Sequence, residues 1–93
     1  MALSWALQAV ADLEDILDHY TAISPDLAYE VIDHIFDSPR MLVDFPHLGR
    51  PAGAFDLRKW AVRHTPFILL YRVSEARVEI ARIVHSASDW QRE

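Results

Sequence analysis

The tightest constraint on this chain lies between Pro66 and His85. Phe67, Leu69, Tyr71 and Val73 alternate with Ile68, Leu70 and Arg72, and a second alternating run, Arg77 to His85, follows after only Ser74-Glu75-Ala76. A period of two is the strand period, and so short a break implies an antiparallel hairpin. A further stretch, residues 55–63, is mixed on both faces and is joined to the hairpin by His64-Thr65-Pro66. Strands over 55–63, 67–73 and 77–85 make an antiparallel meander. Strict alternation along the last strand puts Val78, Ile80, Arg82 and Val84 on one face and Glu79, Ala81, Ile83 and His85 on the other. Arg82 and His85 then face opposite ways unless a bulge intervenes.

The first half has a different period. Residues 2–5 read as a short strand ending at Trp5. From there Ala9, Val10, Leu13, Ile16, Leu17 and Tyr20 recur at three- and four-residue spacing, which predicts a helix over 7–21. Ser24-Pro25-Asp26 restarts the helix: Ser caps, Pro occupies the first turn and Asp complements the positive helix end. Ala28, Val31, Ile32, Ile35 and Phe36 give the second helix one apolar face. At Ser38-Pro39 proline removes a helical hydrogen bond, so a kink or step into a further turn, 39–43, is expected. Pro46, Gly49, Pro51 and Gly53 mark a loop. The sum is an α+β fold: a short N-terminal strand, a helical hairpin and a three-stranded antiparallel meander packed as two layers. The tail carries Trp90, expected to fold back.

Ninety-three residues make one domain, 1–93. A chain of this size buries roughly 60–65% of its unfolded surface. There is no cysteine, which fits a reducing, cytoplasmic setting and excludes thiolate chemistry. The longest apolar run, Pro66–Tyr71, is far too short to span a membrane. The apolar start lacks basic residues and runs into the helical pattern, so it reads as structure and not as a signal peptide.

The net charge of −5 hides an asymmetry. Residues 1–39 carry eight acids (Asp12, Glu14, Asp15, Asp18, Asp26, Glu30, Asp33, Asp37) and no Lys or Arg; the rest of the chain carries all nine cations and six acids. An acidic chain is a poor generic nucleic-acid binder, because that affinity comes from neutralising phosphates. Any such contact is expected from the basic second half. The five histidines show no ligand spacing, two glycines cannot build a phosphate loop, and no Ser/His/Asp or Cys/His triad is present. No metal and no cofactor is expected.

Trp5 before the first helix, Ala9-x-x-Asp12-Leu13 within it, Leu42-x-x-x-Pro46-x-x-Gly49-Arg50-Pro51, Leu57-Arg58, Tyr71-Arg72-Val73 and His85 stand in a fixed order along nearly the whole chain. This set resembles the ParE/RelE superfamily of bacterial toxins, the toxin halves of plasmid-stabilisation, or toxin–antitoxin, modules. The resemblance implies a cognate antitoxin that wraps the toxin with a helix and an extended piece, forming a hetero-oligomer. It implies one of two targets: DNA gyrase for ParE-like members, or mRNA cut on the ribosome for RelE-like members. A third alternative is a non-toxic interaction module with the same fold.

Cleaving RNA through its 2′-hydroxyl needs an acid, a base and cations around one phosphate. The cations available are Arg58, Lys59, Arg63, Arg72 and Arg82; His64, His85 and Tyr71 are the titratable candidates. If the chain is a ribonuclease, Arg58, Arg72, Arg82 and His85 are the catalytic candidates. Arg58, Lys59, Trp60, Arg63 and Arg82 are the partner-binding candidates. The structural alternative pairs Arg58 and Arg72 with Asp56, Glu75 or Glu79 across strands. After His85 there is no Arg, Lys or Tyr until Arg92, where RelE-like toxins typically carry further basic residues and a terminal Tyr, which favours the ParE-like branch and a gyrase partner over an enzyme.

Overall fold

A computed structural model describes residues 1–53 and 56–87. Its elements are β1 (Ala2–Trp5), α1 (Leu7–Ile23), α2 (Pro25–Asp37), α3 (Arg40–Asp44), β2 (Arg50–Pro51), β3 (Arg58–Ala61), β4 (Phe67–Val73) and β5 (Arg77–His85). The strands form one sheet in the order β1-β5-β4-β3-β2. The α+β layering and the order of elements agree with the sequence expectation.

The helix boundaries follow local chemistry. Ser24 both ends α1 and caps α2: its N–H donates to the Tyr20 carbonyl, and its hydroxyl accepts from the Leu27 N–H at 3.4 Å. Pro25 at the first helical position lacks the N–H that would otherwise go unpaired there. The Ser38-Pro39 interruption is a step: α2 stops at Asp37 and α3 restarts at Arg40.

The sheet differs from expectation at both edges. β1 joins it by pairing parallel to β5, with Leu3 beside Val78 and Trp5 beside Ile80. Arg50–Pro51, expected as loop, adds an antiparallel edge strand against Lys59 and Arg58. β3 is shorter than 55–63. Asp56 sits in the left-handed region at φ 57°, which no strand accepts, and Val62–Thr65 already turns, with His64 at φ 67°. Phe55 and the tail with Trp90 lie outside the described residues.

β5 carries the largest correction. Leu70 pairs with Arg82 while Tyr71 pairs with Ile80, so one residue is inserted in β5 and the alternation slips. Val78, Ile80 and Ile83 therefore share the core, instead of Val78, Ile80, Arg82 and Val84. Against these stand Leu69 and Tyr71 from β4, Ala9 and Ile16 from α1, Val31 and Ile35 from α2, and Leu42 from α3. Each large side chain buried this way contributes roughly 1.5–3 kcal/mol. The strand pairings place Arg58, Trp60, Leu69 and Tyr71 on this helix-covered face, and Arg50, Lys59, Leu70, Arg72 and Glu79 on the other.

Candidate functional site

Tyr71 is the centre of one polar cluster. Its side chain is fully buried, yet its hydroxyl donates to the Pro46 carbonyl at 2.7 Å and accepts from the Gly49 N–H at 2.9 Å. Burial raises the phenol's pKa above 10.0, against smaller lowering influences from the Gly49 bond and the Arg58 charge. Arg58 lies opposite Tyr71 on β3 and donates to the Gly49 carbonyl at 2.7 Å and, at 3.4 Å, to that of His47. Gly49 is forced by contact, not by φ: a Cβ there would collide with the Tyr71 hydroxyl and stand 2.7 Å from the Lys59 carbonyl. Three motifs far apart in sequence, Pro46-x-x-Gly49, Leu57-Arg58 and Tyr71, thus form one lock that pins the loop after α3 onto the sheet.

A second cluster closes the other side. β1 ends at Trp5 opposite Ile80, so β5 beyond that point has no strand on that flank among the described residues. Asp12 of α1 takes the place of one. Its Oδ2 accepts from the Ile83 N–H at 2.9 Å and from Arg82 Nε at 2.8 Å, and its Oδ1 accepts from Arg82 Nη2 at 3.2 Å. This fork on a carboxylate is the strongest geometry an arginine makes. The Asp12 side chain is 12% exposed and that of Arg82 43%, so the carboxylate end is the dry one.

The other sequence candidates are dispersed. Arg72 pairs across the strands with Glu79 at 3.0 Å on the face away from the helices, as the structural alternative anticipated. Arg58 does not pair with Asp56, Glu75 or Glu79; it bonds loop carbonyls. His85 is exposed at the end of β5, its ring 5.7 Å from Phe67, and its Nδ1 accepts the Ala87 N–H at 3.1 Å. Arg72 lies opposite Glu79, six residues before His85, a separation of roughly 20 Å at strand spacing. Arg58, Arg72, Arg82 and His85 are thus not gathered around a single point. Trp60 donates its indole N–H to the Ser38 carbonyl at 3.1 Å, tying β3 to the step between α2 and α3. Lys59 is half-buried beside Leu70, and Arg63 is exposed on the turn after β3.

Arg63 does border a cleft of about 580 Å³ between the end of α2, α3 and β3. Its walls include Trp60, Met41 and Phe45 with His34 and His64, whose rings lie 5.3 Å apart. Sequence reading did not connect His34 with His64, because thirty residues separate them and no local spacing links a helix residue to one in the turn after β3. Nor did it pair Asp12 with Arg82. Helical spacing held that signal, since Asp12 lies one turn from both Ala9 and Ile16, the core positions of α1. Among the described residues no group of three or more His, Cys, Asp or Glu is placed to hold a metal, and no helix is long and apolar enough to cross a membrane.

Residues 3–90 match the family described as "ParE toxin of type II toxin-antitoxin system, parDE". The chain is 30% identical over 88 residues to a protein named as a toxin, Y4kP, from Sinorhizobium fredii, covering 95% of this chain and 91% of that one. It is 34% identical over 83 residues to Toxin RelE2 of Caulobacter vibrioides, covering 89% and 92%. The fold superposes with a TM-score of 0.82 on a chain of the chromosomal ParDE TA system from P. aeruginosa, at 32% identity, covering 91% of this chain and 95% of that chain.

Proposed function

This chain belongs to the ParE toxin family of type II toxin–antitoxin systems, and from that membership we propose that it arrests growth by acting on DNA gyrase and is silenced by a cognate antitoxin wrapped around it. The observation that carries the choice of target is the dispersal of the cations. A ribonuclease needs its charges and its proton donor around one phosphate. Here Arg58 is engaged by loop carbonyls, Arg82 is held by Asp12, and Arg72 and His85 stand at opposite ends of the β4–β5 hairpin. That arrangement suits a protein that works by docking. The antitoxin reading draws on the similarity to the ParDE structure and on the exposed apolar side chains of the helical layer.

Supercoiling assays with the host's gyrase test the target. Purified toxin is expected to inhibit supercoiling and to trap gyrase on cut DNA. Unimpaired gyrase alongside truncated transcripts in arrested cells would reject this target in favour of mRNA cleavage. Normal growth on expression without the antitoxin would reject toxicity altogether.

A further inference from the structure

We infer that His34 and His64 form a two-histidine site for a divalent cation of the zinc type, in the cleft between α2, α3 and β3. The two imidazoles come from distant parts of the fold, the last turn of α2 and the turn after β3. Their ring centroids stand 5.3 Å apart and their planes are tilted by 47°. A shared ion demands that separation. A zinc–nitrogen bond of about 2.0–2.1 Å and a ring radius of about 1.1 Å put each centroid roughly 3.2 Å from the metal, so two imidazoles at a tetrahedral angle have centroids about 5.2 Å apart. Ring packing alone accepts the same distance, but the surroundings favour a ligand. Among the described residues neither side chain makes a hydrogen bond or an ion pair, so the ring nitrogens are not committed to the fold. His34 is half-buried and His64 exposed, which leaves an ion a way in. Both rings are carried on fixed backbone. His34 sits on a helix. His64 holds φ 67°, a conformation that Gly or Asn adopts at lower cost, in a turn pinned by Thr65: its N–H and hydroxyl donate to the Val62 carbonyl at 3.3 and 2.9 Å, and the hydroxyl accepts from the Phe67 N–H at 3.1 Å.

The cleft also selects the kind of ion. Among the described residues no third ligand stands in place. The remaining positions fall to water, or to Asp37 after a side-chain rotation, which is the open arrangement of a zinc site that keeps solvent. Asp37 lies one turn beyond His34 on α2 and lines the same cleft. Its contact with Arg40 is long, 3.5 Å, between side chains 78% and 77% exposed, and such a pair holds its carboxylate only weakly. The carboxylates of Asp37 and Asp44 in the lining are offset by Arg40 and Arg63. Net charge therefore does not draw a cation here, and imidazole coordination must. That favours zinc, nickel or copper over magnesium and calcium, which require oxygen ligands. A bound ion would tie the end of α2 to the turn after β3, alongside the hydrogen bond from Trp60 to the Ser38 carbonyl. The inference stands apart from the toxin reading and neither depends on the other.

The test uses the untagged full chain, freed of metal with a chelator and titrated with zinc chloride in a calorimeter. One equivalent is expected to bind and to raise the melting temperature by about 5 °C or more at a large excess, while magnesium chloride does neither. His34→Gln and His64→Asn should each weaken zinc binding by at least about tenfold. Both substitutions suit their backbone, since Gln is a good helix former and Asn tolerates a left-handed turn, so the metal-free melting temperature should hold. His19→Gln, which removes one of the two histidines lining the cleft between α1 and β5, should leave zinc binding unaltered. In proton NMR of the native chain, the imidazole C–H signals of His34 and His64 should move with the first equivalent of zinc, and those of His19, His47 and His85 should not. No saturable zinc binding, binding that survives in both site variants, or its loss in His19→Gln would overturn the inference. Should either site variant fail to fold, the NMR shifts decide: movement of other histidines without these two would also overturn it.

Discussion

The helical layer and the sheet divide the molecule's polar and apolar resources in opposite ways. On the sheet side, charged and polar groups are paired within the chain. Arg58 and Tyr71 hold the loop at Gly49, Arg82 is forked on Asp12, and Arg72 is paired with Glu79. On the helical side the acids mostly face solvent, and large apolar groups such as Tyr29 and Phe36 stay uncovered. A cationic sheet therefore need not be a catalytic sheet. Its arginines close the gaps that an irregular sheet leaves: a two-residue edge strand, a bulge and a strand that ends early. The acidic layer, which sequence alone presents as mere cover, holds the exposed apolar surface.

That contrast breaks most readily at Gly49. Gly49→Ala must displace both the Tyr71 ring and the Lys59 carbonyl, or shift its own backbone away from them, and a loss of about 3 kcal/mol is expected in urea denaturation. A near-neutral result would mean that the loop is not locked. Tyr71→Phe keeps the ring but leaves the Gly49 N–H and the Pro46 carbonyl unpaired, for a loss of about 2 kcal/mol. It also carries a pH signature. Because burial raises the folded pKa above 10.0, the unfolded chain releases the phenolic proton first as pH rises. The native chain should therefore lose stability from about pH 10 upward, and Tyr71→Phe should lack that part of the slope in melts taken across the range.

Asp12→Ala removes the acceptor of the Ile83 N–H as well as the Arg82 partner, and about 1–2 kcal/mol is expected. Asp12→Asn, which keeps an acceptor for Ile83, should cost less. Arg72→Ala breaks a pair whose arginine is 44% exposed, so its effect should stay below about 1 kcal/mol and shrink with salt. Tyr29→Glu, on the helical exterior, should change stability by no more than about 0.5 kcal/mol in the same melts. A large loss there would erase the distinction between the two layers.

The order of elements was legible because each half keeps a clean period and Ser24-Pro25 punctuates it. The missing pieces were those that local pattern does not encode. Arg50–Pro51 reads as loop because proline and a neighbouring glycine dominate its composition; only the position of β3 makes it an edge strand. The bulge in β5 inserts a residue into an unbroken alternating run, so strict parity sent Arg82 and Val84 to the core face and Ile83 away from it. The sequence motifs at Asp12, Gly49, Arg58 and Tyr71 were visible as spacings, but which motif touches which is a long-range fact. The partner-binding candidates Lys59, Trp60 and Arg63 remain together on β3 and its following turn, with Trp60 turned inward to Ser38.

The role of Arg82 decides whether the sheet's cations serve the fold or a reaction. Unfolding free energies of the native chain, Asp12→Ala, Arg82→Ala and the double variant give the coupling between the two side chains directly. A coupling of about 1 kcal/mol is expected for this partly exposed fork. Strict additivity, with Arg82→Ala leaving stability intact while abolishing transcript cleavage in arrested cells, would contradict it and return the arginine to catalysis.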